Sequence, residues 1–116
     1  MSIVNEGRHT GEHLLSEASG TRSREKVTVT LSGAALKAGT VLGKITASGK
    51  YVPYNETGTD DGHRVAAAIL YDNLPAATGD VKAVVHLRDC EVNGACLTGI
   101  DANGKADLLA SGVIVR

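Results

Sequence analysis

The chain has 116 residues, a formal net charge of -1, three Tyr, and no Phe or Trp. That size bounds it to one domain with an appendage, and the scattered Lys and Arg leave no basic footprint for nucleic acid. The longest apolar run, Val65 to Tyr71, is far short of the ~20 residues a membrane span needs.

Residues 1–25 are polar and glycine-punctuated, with the adjacent leucines Leu14-Leu15 as their main apolar spot. Segments with few apolar side chains stay unfolded alone and order on a partner. The expectation is therefore a flexible N-terminal arm over 1–25 and a β-rich domain over 26–116. Met1-Ser2-Ile3-Val4-Asn5 runs straight into charge and glycine, which does not read as a cleavable signal. A soluble chain made in the cytosol is expected. His9 and His13 lie four apart with Glu12 between them, but the metalloprotease pattern His-Glu-x-x-His is missing. Gly7 and Gly11 also oppose a helix there, so the reading is a solvated arm, with no metal. Arg22, Arg24 and Lys26 around Glu25 form a charged hinge.

Lys26 to Leu31 alternates polar and apolar, which places Val27, Val29 and Leu31 on one strand face. Leu36 to Gly39 reads as a turn, and Thr40 to Thr46 as a strand with Val41 and Ile45 inward. Ala47 to Lys50 is a hairpin loop, and Pro53 confines the returning strand Tyr51 to Tyr54 to an edge or bulge. Gly39 to Lys44 is one residue short of a phosphate loop, with Ile45 where Ser or Thr should hold magnesium. Two glycines flanking a turn and a tight strand crossing explain it. The polar loop Asn55 to Gly62 carries oxygens without the spacing of a calcium loop.

Val65 to Asp72 is small and apolar, a buried strand or a helical turn. Asp80 to Asp89 is the clearest strand, with Val81, Ala83, Val85 and Leu87 on one side and Lys82, Val84, His86 and Arg88 on the other. His86 is expected at the surface or an interface, since no nucleophile or cleft accompanies it. Cys90 and Cys96, without a CxxC or a second pair, read as small packing thiols. Asn103 caps a short helix over Gly104 to Ala110 with Leu108 and Leu109 inward, Gly112 ends it, and Val113 to Val115 closes the chain as a strand. The fold class is mainly β: a small barrel- or sandwich-like domain with one short C-terminal helix and a flexible arm. Few aromatics leave little area to bury per subunit, a deficit that oligomerisation offsets.

The order of these pieces carries a resemblance. Leu36-Lys-Ala-Gly-Thr-Val-Leu-Gly-Lys-Ile-Thr46, Gly49-Lys-Tyr-Val-Pro-Tyr54, Thr59-Asp-Asp-Gly62 and Val65-Ala-Ala-Ala-Ile-Leu-Tyr71, then the strand Val81 to Asp89 and the ending Lys105 to Val115, resemble the head decoration proteins of lambda-like tailed phages. Leu14-Leu-Ser-Glu17 is similar to the arm of many members.

The resemblance implies a non-enzymatic capsid protein without cofactor, on the virion surface after assembly in the host cytoplasm. Its members bind as homotrimers at three-fold and quasi-three-fold sites of the expanded head, against the major capsid protein and not nucleic acid or membrane. They stabilise the head against internal DNA pressure, and their arm docks as an added strand. The capsid-binding residues expected from the arm itself are Leu14, Leu15, Ser16 and Glu17 with Arg22 and Arg24, the charged pair reading either as a solvated linker or as cations that meet acidic groups on the shell. The alternative is a small carrier or adaptor barrel, because Leu36 to Gly43 is similar to the glycine-turn strands of biotinyl and lipoyl domains. Such carriers present a lysine beside Met on a hairpin, whereas Lys50 lies between Gly49 and Tyr51.

Overall fold

The computed structural model describes residues 11, 13–17, 22–55 and 62–116. Within them the strands are β1 (Leu14–Glu17), β2 (Arg24–Ser32), β3 (Val41–Lys44), β4 (Tyr51–Pro53), β5 (Ala66–Leu70), β6 (Thr78–His86), β7 (Cys90–Val92) and β8 (Val113–Val115), with helix α1 at Ala102–Ala110. Strands β2-β4-β3-β5-β6 close a barrel, and β1-β7-β8 form a second, three-stranded sheet.

The alternating sequence of β2 and β6 has its physical outcome here. The two strands pair antiparallel along their full length, from Arg24↔His86 to Ser32↔Thr78. Val29, Leu31, Ala83 and Val85 point into the barrel, where they meet Leu42, Tyr51, Ala68 and Leu70. Pro53 ends β4 opposite Leu42, a strand end where its missing N–H does least harm.

A second core lies between the barrel wall and the C-terminal elements: Val41, Ile69, Val92, Leu108 and Val113 are its fully buried aliphatic members. Strands β3 and β5 border both cores. Val41 and Ile69 face the C-terminal core, while Leu42 and Leu70 face the barrel interior. A strand covered on both faces is apolar throughout rather than alternating. That decides the ambiguous run from Val65 in favour of a strand, and it makes Leu42 as buried as Val41.

Two glycines permit this wall to be close-packed. A Cβ on Gly43 would collide with the His63 backbone, and one on Gly39, which also has φ +90°, would collide with the Cys96 carbonyl. The Gly39–Gly43 spacing is therefore a turn and a strand crossing.

Three local expectations are corrected. The helix is capped by Asp101, not Asn103: its Oδ1 accepts from the Gly104 N–H at 2.6 Å and from the Tyr54 hydroxyl at 2.9 Å. Leu108 is buried, but Leu109 is 61% exposed, because one turn of a short helix on a flat wall covers only one of two adjacent positions. Residues expected in the arm also enter the folded body: β1 pairs with β7 through Leu14↔Val92, Ser16↔Glu91 and Glu17↔Cys90, and β2 begins at Arg24, ahead of residue 26. His9 and most of the polar loop, 56–61, lie outside the described residues.

Candidate functional site

Strand β1 crosses the body as a short strap. Its entry is fixed by Gly11, in a left-handed conformation at φ 69°, whose N–H donates to the Tyr71 carbonyl at 2.9 Å. The His13 carbonyl accepts from the Asn93 N–H at 2.7 Å, and Leu14 packs against the C-terminal core. Leu15 and Ser16 turn outward, Leu15 with 52% exposure. Ile114 is exposed on the same small sheet, beside Glu91 in the register.

Beneath the strap lies a polar cluster. The Glu17 carboxylate accepts from Arg24 Nη2 at 2.6 Å, Arg24 Nε at 3.1 Å and Ser23 Oγ at 2.7 Å. His86 Nε2 stands 3.1 Å from the same carboxylate, and His86 Nδ1 stands 3.1 Å from His13 Nε2. A carboxylate only accepts, so His86 Nε2–H is the donor to Glu17. Its Nδ1 is then an acceptor, and His13 Nε2–H donates to it. The Arg24 guanidinium also lies 4.3 Å from the Tyr71 ring centroid, a stacking arrangement that favours the cation.

The electrostatics follow from this geometry. The Arg24 guanidinium, more than any other group, holds the Glu17 carboxyl down to about 2, with Ser23 and His86 assisting. Glu17 in turn raises Arg24 further. Burial pushes His86 below the ordinary imidazole value, against the pull of Glu17. Burial likewise pushes the Cys90 thiol up to about 11.

The six residues expected to bind a partner therefore divide. Leu15 and Ser16 face outward, Leu14 faces the core, and Glu17 and Arg24 are joined to each other. Arg22 is exposed and stands 3.5 Å from Asp89. The sequence reading missed the strap's seat: His13 and His86 are 1% and 0% exposed, not solvated or surface-facing. The one local signal was Val84-Val85 before His86, where two consecutive apolar residues announce cover on both sides of β6.

Among the described residues no group of three His, Cys, Asp or Glu side chains could hold a metal ion, and no helix is long and apolar enough to cross a membrane. A groove of about 380 Å³ is lined by the strap residues Ser16 and Glu17 with Arg22, Asp89 and Glu91, and another of about 300 Å³ by Arg24, Lys26, Tyr71, Asp72, Lys82 and Val84. Lys50, the hairpin lysine a carrier would modify, is half-buried and pairs with Asp80 at 2.7 Å.

The family model of the bacteriophage lambda head decoration protein D matches residues 3–113 of the chain. The chain belongs to that family. Comparison with curated proteins finds no match. Head decoration implies attachment to a phage capsid and a place in the virion, as a structural component. The β-rich barrel described above is the body of such a decoration protein, and the family match spans both the strap and the barrel.

Proposed function

We propose that this decoration protein binds the expanded head as a homotrimer at three-fold and quasi-three-fold sites, against the major capsid protein, and reinforces the shell against internal DNA pressure. It works by attachment and not by catalysis, first in the host cytoplasm and then on the virion. The family match over residues 3–113 carries this reading.

The N-terminal 25 residues supply the docking element. Leu15 is its apolar anchor, because it is the one leucine of the pair whose surface is still available, and Ser16 lies beside it. Strand β1 is the outer strand of its sheet among the described residues, so its free edge can accept or donate main-chain hydrogen bonds to an extended shell segment. Leu14, Glu17 and Arg24 hold that edge in place from beneath, and Arg22 adds an exposed cation at its end. One such contact is weak, whereas three on one trimer gain avidity of roughly 10²–10⁴.

Light scattering of the purified chain should give a trimer, and co-sedimentation with expanded shells should saturate at three-fold-related positions visible by electron microscopy. A monomer that never co-sediments with any expanded shell of its own phage would refute the reading.

A further inference from the structure

We propose that β1 is a pH-operated strap: proton uptake by the His13–His86 pair releases it from β7 while the barrel stays folded. This inference does not depend on what the strap binds.

The argument begins with donor and acceptor counting. In the arrangement described above, His86 spends its one N–H on Glu17 and offers Nδ1 to the N–H of His13, at 3.1 Å. A proton added at His86 Nδ1 sets two N–H groups head to head. The contact survives only if His13 changes tautomer, and a second proton removes that remedy. Both rings are almost completely buried and stand 5.2 Å apart in a T-shaped arrangement, so neither can turn to water without moving the strap.

Charge counting gives the same direction. The groups facing His86 are His13 and Glu17 from the strap, Arg24 from β2, and Tyr71 after β5, whose ring centroid is 5.3 Å away. On the β7 side, the Cys90 thiol senses Glu17 and Asp89. Glu17 already pairs with Arg24 at 2.6 Å and stands 3.1 Å from His86, so a protonated imidazole makes one carboxylate answer two cations and leaves the cluster with a net positive charge. An uncompensated buried charge is among the most destabilising groups a fold can contain. Burial accordingly holds His86 below its ordinary value. The unfolded or released strap binds more protons, so the docked state is favoured above about pH 6.5 and weakens as pH falls below it.

The strap yields before the barrel because its own strand pairing is short. It pairs with β7 at three positions with a bulge between Leu14 and Ser16, while β2 and β6 pair along their nine residues.

The test is hydrogen exchange on the full chain at pH 7.5, 6.5 and 5.5, read as protection of Leu14–Glu17 relative to β6. Strap protection should fall by about fivefold from pH 6.5 to 5.5 for each proton taken up, with β6 unchanged. The double variant His13→Gln, His86→Gln should show no such fall. Unchanged strap protection at pH 5.5, loss of β6 in step with the strap, or the same fall in the double variant would each overturn the proposal. Should the double variant not fold, the imidazole titration of the natural chain by NMR decides. A His86 midpoint coinciding with the strap transition supports the latch, and a His86 titration that leaves strap resonances unmoved refutes it.

Discussion

The two adjacent leucines of β1 offer a test that separates holding the strap from docking the shell. Leu14 is half-buried against the C-terminal core, and Leu15 is 52% exposed. Burying a whole leucine contributes about 1.5–3 kcal/mol. For half that area plus a small unfilled space, Leu14→Ala should cost about 1–2 kcal/mol. In a chain of this size that lowers the melting temperature by about 4–8 °C. Leu15→Ala should stay within about 0.5 kcal/mol of the natural protein. On the shell the order reverses. Covering the exposed half of Leu15 contributes about 1 kcal/mol per arm, a factor of about five in affinity. Compounded over the three arms of the proposed trimer, that becomes roughly 100-fold. Thermal unfolding at fixed protomer concentration, which removes mass-action effects, and titration of expanded shells by co-sedimentation give the two readouts. If Leu15→Ala saturates shells at the natural concentration, or if both variants lose stability equally, the division of labour within β1 is wrong.

Leu108→Ala should destabilise by about 2–5 kcal/mol, because its side chain is 0% exposed at the centre of the C-terminal core, whereas Leu109→Ala should change urea midpoints little. Equal effects would mean the helix sits one position rotated. The Glu17 carboxyl, held at about 2 chiefly by Arg24, binds fewer protons folded than unfolded. Its contribution is therefore complete above the ordinary carboxylate range and lost as pH falls toward 2. Glu17→Gln should lower the melting temperature at pH 7 and flatten its decline between pH 5 and 2, and an unaltered decline would contradict this. The Cys90 thiol, buried and pushed up to about 11, should resist a thiol reagent at pH 8 until the protein unfolds, while the half-exposed Cys96 reacts in the native state. Two thiols modified at one rate in native buffer would count against the burial assigned to Cys90.

How much of this was legible depended on how far apart the partners lie in the chain. The barrel strands β2 and β6 were readable because polar and apolar residues alternate through Lys26–Leu31 and again from Asp80, and glycine placement marked the β3–β4 hairpin and the helix end. The run from Val65 could be read only as apolar; its being a strand follows from having a core on each side, which periodicity cannot encode. The strap was the least visible element. Its polar composition argued for solvent, yet one ring nitrogen of His13 meets one of His86 across 73 positions of sequence, a partnership that makes burial of the imidazoles less costly. Asp101 displaced Asn103 as the cap because its carboxylate meets both Gly104 and Tyr54, a second partner that no local motif reveals.

One ribbon, β3, lies at the boundary of two packed compartments, with neighbouring side chains Val41 and Leu42 anchored on opposite sides. Neither compartment can loosen without dragging that common wall out of the other. The two compartments should therefore behave under load as one solid rivet, yielding together and not by successive softening, whether or not the strap is docked.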